Sequence, residues 1–284
     1  MVDPQVNNPK SPKFAVKNYL HSIKEELKGK IVLDMPAGNG VTSEVLLELG
    51  SQVEAYDLFP EYFLVKEMEC KKADINLGLP IENDHADIVI CQEGIEHFND
   101  QLKMFSEFNR VLKKGGKLII TTPSISNLAA KMSYGLFESE YFHKLMPPNE
   151  IDSVWFGDKI NKKIYYGHIF LIGIQKMRVL GRVCGFKISK INFMRLNKTA
   201  LILFPFWYPF IFLSSYYTYF KALRKNKSID YEAKKKVYEE QLKINISPKV
   251  LLDRHTFVVF EKEFEVEYVY DHLLSIQKPL SEIL

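Results

Sequence analysis

The residues best placed to do chemistry are carboxylates and amides that each follow a short apolar run. Asp34 closes IVLD, Asp57 closes QVEAYD, and Gln92, Glu93 and His97 fall in QEGIEH, directly after the β-branched run Ile88, Val89 and Ile90. Open parallel sheets bind ligands outside the carboxyl ends of their strands, so these groups would share one crevice. Between the first two acids, PAGNG supplies Gly38 and Gly40, which lack the Cβ atoms that would block close backbone approach. The following helix, Val41 to Leu49, would aim its N-terminal amides at the same place. An acid about 20 residues past such glycines can hold ribose hydroxyls, and Asp57 stands there. A histidine at position 97 could take a proton from a hydroxyl; the structural alternative is a histidine that ties the loop backbone.

The elements that must position these groups follow from periodicity. Ile31–Leu33, Gln52–Tyr56, Cys70–Ala73, Ala86–Gln92, Lys117–Thr122, Phe186–Ile191 and Arg254–Glu261 read as strands. Helical stripes run from Ser11 or Lys13 to Lys28, from Leu102 to Leu112 and from Ile169 to Cys184, and Gly115 and Gly185 stop two of them. Residues 1–10 are polar, carry two prolines and read as frayed, and FEVEYVY near the end alternates like an edge strand or a docking segment. The 284 residues allow one α/β domain with insertions. A net charge of +3 is too small to imply a nucleic-acid partner, and three scattered cysteines, Cys70, Cys91 and Cys184, suggest neither a disulfide framework nor a zinc site. No apolar leader opens the chain, so a cytoplasmic location is expected.

Five blocks in order, VLDMPAGNG, VEAYDLFP, ADINLGLP, ADIVICQEGIEHF and LKKGGKLIITTP, resemble the class I S-adenosylmethionine-dependent methyltransferases, in their small-molecule branch. The resemblance covers roughly residues 28 to 192 and resumes near 250 to 262. Pro36 departs from it, standing where most members carry glycine. It implies a Rossmann-like α/β fold with a seven-stranded, mostly parallel sheet and helices on both faces, the last strand antiparallel between the fifth and sixth. S-adenosylmethionine would be the cofactor, and no metal would be demanded. Asp34 would face its amino group or order the loop, while Ala37, Gly38 and Gly40 would line it and Asp57 with Leu58 would sit at the ribose. Asp74 and Ile75 would frame the adenine, Gln92 and Glu93 would approach the sulfonium end with Glu93 on the substrate side, and His97 would be the candidate base.

Two inserts complete the reading of a single domain, residues 1–284. Residues 123–168, rich in aromatics after the fifth strand, would form a lid over the acceptor. Tyr134, Phe137, Tyr141, Phe142, His143, Trp155, Tyr165, Tyr166 and His168 are its candidate lining, with Tyr165, Tyr166 and His168 as substrate contacts; most of the set would be lid core. Residues 193–250, between the sixth and seventh sheet strands, include a stretch without charge, 199–220. Its length would license a membrane span, but flanking strands in one sheet must return to the same side, and Pro205 and Pro209 would break a straight helix. A bent helix pair dipping into one leaflet, or an apolar face covered by another subunit as in a homodimer, remain. Seven basic residues against two acids between Lys221 and Lys236 favour peripheral contact with an anionic membrane through residues 199–236.

The leading expectation is methyl transfer to a small or amphiphilic acceptor, such as a lipid-linked sugar or a quinone precursor. A catalytically silent, methyltransferase-like scaffold at the membrane surface is the alternative. A nicotinamide oxidoreductase is disfavoured by Pro36 and the absence of a third spaced glycine.

Overall fold

The computed structural model describes residues 3–139, 149–151, 153–158, 163–225 and 228–276. Nine strands are described: β1 (Ile31–Asp34), β2 (Gln52–Asp57), β3 (Cys70–Lys72), β4 (Ala86–Gln92), β5 (Leu112–Pro123), β6 (Val154–Asp158), β7 (Lys163–Tyr166), β8 (Phe186–Asn192) and β9 (His255–Lys262). Seven of them form one sheet in the order β3-β2-β1-β4-β5-β9-β8, while β6 and β7 pair as a separate antiparallel ribbon. The first five sheet strands run parallel, and β9 is antiparallel to both β5 and β8. This is the expected seven-stranded Rossmann-like α/β sheet. Strand order reverses between β1 and β4, so the loops after those two strands open a crevice at the switch point.

The central strands are apolar on both faces because helices cover both. Val89 and Cys91 pack with α4 (Gln101–Val111) and α6 (Ile174–Val183), while Ile88 and Ile90 pack with α1 (Pro12–Ser22) and α3 (Val41–Glu48). On α4, Met104, Phe105, Phe108 and Val111 recur at helical spacing and are all buried, and the Asp100 side chain caps the first turn by accepting from Lys103 N. The α6 helix starts at Ile174, five residues later than the pattern suggested, because Gly173 holds extended backbone there.

Three expectations need correction. Residues 4–7 form a short 3₁₀ helix with Val6 buried against the α1/α3 side, so this part of the N-terminus is packed rather than frayed. The α1 helix ends at Ser22, and a separate turn, α2 (Lys24–Leu27), follows. FEVEYVY contributes to a helix, α10 (Val266–Ser275), with Val269 buried, and not to an edge strand.

The apolar insert forms one continuous helix, α7 (Lys198–Leu223), with Pro205 and Pro209 inside it. Each proline removes one amide donor yet keeps a helix-compatible φ, so the helix continues without those two bonds. Along about 39 Å, at 1.5 Å per residue, one face packs on its neighbours. Leu203, Phe204, Tyr208 and Ile211 meet Leu128 and Ala129 of α5 (Leu128–Phe137) and Leu251 of α9 (Pro248–Leu252). Further along, Ser215 and Tyr219 bond Asn245 and Glu239 of α8 (Tyr231–Asn245). The opposite face, with Phe206, Trp207, Phe210, Leu213 and Tyr217, is exposed; Phe210 keeps 70% of its surface open.

Candidate active site

A cavity of about 540 Å³ opens at the carboxyl ends of β1, β2 and β4, within the size range of small-molecule sites. The loop after β1 contributes Pro36, Ala37, Gly38 and Asn39, the loop after β2 Asp57, Leu58 and Phe59, the loop after β3 Asp74, Ile75 and Asn76, and the end of β4 Gln92, Glu93, Gly94 and His97. From the aromatic insert, Tyr165 and Tyr166 close one side. Phe59 meets Tyr165 edge-on at 4.6 Å between ring centres, linking the β2 loop to the β6–β7 ribbon.

The acids of the first loops are held by backbone amides. Asp57 accepts from Gly38 N and from Phe59 N, each at 2.8 Å, so the carboxylate is buried and fixed with lone pairs remaining for a ligand. Asp74 accepts from Asn76 N at 2.9 Å and caps the turn that carries Ile75. Gly38 has φ +53, with no protein atom within 4 Å of where a Cβ would stand. Its glycine is needed for the left-handed backbone, and the space beside it stays open.

Two expected cofactor residues stand elsewhere. Asp34 lies behind the cavity lining, fully buried, accepting a 2.6 Å bond from Ser43 Oγ on α3. Of its two expected roles, this contact matches ordering of the loop. Burial pushes its carboxyl up to about 7, the Ser43 bonds oppose that, and the Asp57 charge adds to it. Gly40 also stands off the cavity: a Cβ there would come within 2.6 Å of Phe63 and 2.7 Å of Val65, so its missing side chain admits protein packing rather than a ligand.

The β4 end is built differently. Thr42 Oγ1 donates to Gln92 Oε1 at 2.6 Å, while Gln92 Nε2 is buried without a protein partner. Glu93 has φ +48, rare for a side chain of its size, and its Oε1 is sealed from solvent and unpartnered although the side chain as a whole keeps 26% exposure. Burial, then the neighbouring Glu96 charge, pushes Glu93 up to about 8. His255, 3.8 Å away, is pushed down to about 4 by burial and by Arg254 and Arg195, so the contact between them does not draw on a charged imidazole. His97 lines the cavity, with Nδ1 2.9 Å from the carbonyl of Tyr166, which accepts from it. The bond ties the β4 loop to the β7 end, and the ring borders the cavity. His168 is exposed beside the His97 ring, 5.2 Å between centres, and does not line the cavity.

Of the other insert aromatics, Tyr134 and Phe137 are exposed on α5 and do not line the cavity, while Tyr141, Phe142, His143 and the Trp155 side chain lie outside the described residues. Several lining or supporting residues had no separate signal in the sequence. Lys13 on α1 reaches the cavity and is ion-paired with Asp3, which also accepts from Asn39 of the β1 loop; the Lys13 bond holds Asp3 down to about 2. Gly94 leaves room for Pro36, since a Cβ would fall 2.3 Å from Pro36 Cδ. Glu96, wholly buried, accepts from Thr122 Oγ1 at 2.8 Å and is raised by burial. QEGIEH pointed to the loop but not to Glu96, whose role depends on β5 lying alongside.

An adenosyl-type ligand with a sulfonium fits these walls. The cavity carries the acids Asp57 and Asp74 against one lysine, Lys13, and the orphaned Gln92 Nε2 and Glu93 Oε1 call for polar partners.

Comparisons with known proteins agree with this architecture. Residues 33–120 match the family model described as a methyltransferase domain. A "Ubiquinone biosynthesis O-methyltransferase" of Xanthomonas oryzae pv. oryzae (strain PXO99A) is 31% identical over 135 residues, 44% of this chain and 56% of that protein. Its counterpart in Xanthomonas campestris pv. campestris (strain B100) is 31% identical over 130 residues, 43% of this chain and 54% of that one. The match thus spans about half the length of these curated relatives. Among solved structures, a SAM dependent methyltransferase from Archaeoglobus fulgidus superposes with a TM-score of 0.51 at 15% identity, covering 91% of this chain and 97% of the other, which is a likeness of fold. The matched segment, residues 33–120, holds the β1 loop, Asp57, Asp74 and the β4 end that line the cavity, so the likeness to methyltransferase domains falls on the site itself.

Proposed function

We propose that the chain transfers the methyl group of S-adenosylmethionine to a small or amphiphilic acceptor bearing a nucleophilic oxygen. The observation that carries this reading is the convergence of Asp57, Asp74 and Gln92, from three different strand ends, on one cavity beside Gly38. The cofactor brings an already activated methyl on sulfur, so the protein's work is alignment and exclusion of water. Asp57 holds the ribose, Asp74 and Ile75 flank the base, and Ala37, Gly38 and Leu58 shape the wall between them. Gln92 and Glu93 face the reacting end, where His97 is the candidate proton acceptor through Nε2.

The acceptor side is aromatic, with Phe59, Phe98, Tyr165 and Tyr166 lining it. The curated relatives are named for O-methylation in ubiquinone biosynthesis, which supports a hydroxylated ring, such as a quinone precursor, over the lipid-linked sugar. Calorimetry with S-adenosylmethionine and its demethylated product tests the reading: micromolar binding of both is expected, on the order of −8 kcal/mol. A chain that binds neither is the silent scaffold instead.

The exposed face of α7 supports a second element, peripheral contact with the cytoplasmic face of a membrane, where an amphiphilic acceptor would be met. Phe206, Trp207, Phe210 and Leu213 stand on that face, and Lys221, Arg224 and Lys225 lie at its end. Lys234 is excluded from the basic surface, since it is buried and donates to the Lys225 carbonyl, and Lys227 lies outside the described residues. Flotation with anionic vesicles should recover the chain, and a Phe206→Ser/Phe210→Ser variant should float less. Equal flotation would end the membrane reading, and a dimer dissociated by the same substitutions would identify a second copy as the occupant.

A further inference from the structure

We propose that Glu96, His97 and His168 form a binding site for one divalent transition-metal ion at the rim of the cavity. One ligand atom from each lies within 4.8 Å of the others. Donors around one such ion stand about 3 to 3.5 Å apart when each metal bond is about 2.1 Å, so closing the set needs inward shifts of roughly an ångström. Two imidazoles and a carboxylate suit Mn²⁺, Fe²⁺, Co²⁺ or Zn²⁺ better than Mg²⁺ or Ca²⁺, which prefer oxygen alone.

The second, independent observation is Glu96 itself. Its side chain is fully buried, Oε2 is fixed by Thr122 Oγ1 on β5, and Oε1 has no hydrogen-bond partner. A buried carboxylate oxygen left unmatched is costly, and a cation is the partner that removes the cost. The supporting contacts are those a metal site needs. With Nδ1 of His97 given to the Tyr166 carbonyl, Nε2 is the nitrogen that presents a lone pair. The loop carrying His168 is bolted to the β4 loop: Phe170 N donates to the Glu96 carbonyl, and Gln101 Nε2 donates to the carbonyls of both Ile95 and Phe170. The three ligands therefore come from two loops joined by one backbone bond and by the Gln101 side chain, none of them made by the ligating side chains.

The site is not needed to bind the cofactor, because neither Glu96 nor His168 lines the cavity; His97 alone connects the two. Resting on the proposed methyl transfer, its chemical use would be to ligate an oxygen of the acceptor at the cavity rim and favour its ionised form, the proton leaving to solvent; with the ion bound, Nε2 of His97 would be a ligand and not the proton acceptor.

The test uses the full chain, stripped with a chelator and titrated with Mn²⁺ followed by electron paramagnetic resonance, and with Zn²⁺ by calorimetry. One ion per chain is expected for at least one of the two metals. Glu96→Gln, which keeps the shape of the side chain, and His168→Ala, at an exposed position, should each weaken that binding by about tenfold or more. Failure of both metals to bind stoichiometrically, or binding by His168→Ala equal to that of the unaltered chain, would overturn the site. S-adenosylmethionine is titrated into the same stripped and loaded samples. Cofactor binding without metal binding sinks the metal site alone, whereas loss of both sinks the methyltransferase reading as well.

Discussion

The two walls of the cavity satisfy their polar groups in opposite ways. On the wall from β1, β2 and β3, both Asp57 oxygens and Oδ1 of Asp74 accept backbone amides of these connecting loops before any ligand arrives. On the wall from β4, Gln92 Nε2 and Glu93 Oε1 are buried without partners, and so is Glu96 Oε1 behind it. Glu93 is also held at a positive φ. The first wall is a rigid template that a ligand can enter without rearranging it. The second carries unspent hydrogen-bonding capacity and backbone strain, the condition of a surface waiting for partners. Recognition of an invariant cofactor suits the first wall, and the reacting end and acceptor suit the second.

The seam between the walls offers the strongest test. Gly94 of the β4 loop packs on Pro36 of the β1 loop so closely that Gly94→Ala must push the two apart. A loss of about 2 to 3 kcal/mol of stability is expected by denaturant titration; an unchanged midpoint would show that the walls are not rigidly joined.

On the template wall, Asp57→Ala should weaken S-adenosylmethionine binding by about 1 to 3 kcal/mol in calorimetry, since two amides lose their acceptor along with the ribose contact. Unaltered affinity would break the contrast between the walls.

Proton linkage should report mainly the unsatisfied groups. Glu93 is raised from 4.5 to about 8 and Asp34 from 3.8 to about 7. Between those limits the unfolded chain has lost protons that the folded chain retains, so stability falls as pH rises, by at most about 1.4 kcal/mol per pH unit for each group. Melting temperature followed from pH 4 to 9 should therefore decline through this window from these two groups. Glu93→Gln should flatten the upper part of the slope, and Asp34→Asn the lower part; parallel profiles for variant and parent would refute the assignment.

The smallest effect is expected at Asp74. Its bonds to Asn76 are local and exposed, so Asp74→Asn should change cofactor affinity by less than about 1 kcal/mol. A tenfold loss would mean that the template extends further along the β3 loop than its hydrogen bonds indicate.

Much of the framework was legible in the chain because short-range pattern and site coincide there. Consecutive β-branched residues such as Ile88, Val89 and Ile90 can be buried on both faces only in a covered parallel strand, and an acid or amide at the strand end is carried to the crevice. Where two backbone demands compete, pattern was insufficient. Both Gly38 and Gly40 have positive φ, yet one borders open space and the other makes room for Phe63 and Val65, a difference that depends on residues more than 20 positions away. Likewise, the alternation in FEVEYVY is compatible with a strand, but the segment enters a helix that buries Val269.

By itself, then, the order of residues determined the sheet and the location of its crevice, because strand burial and strand-end geometry are local consequences of side-chain type. Tertiary structure decided which polar atoms are satisfied: whether Asp34 faces the ligand or Ser43, whether Glu96 finds a partner beyond Thr122, and whether His168 meets His97. Those outcomes depend on contacts between segments as much as 70 residues apart, and no pattern along a single segment encodes them.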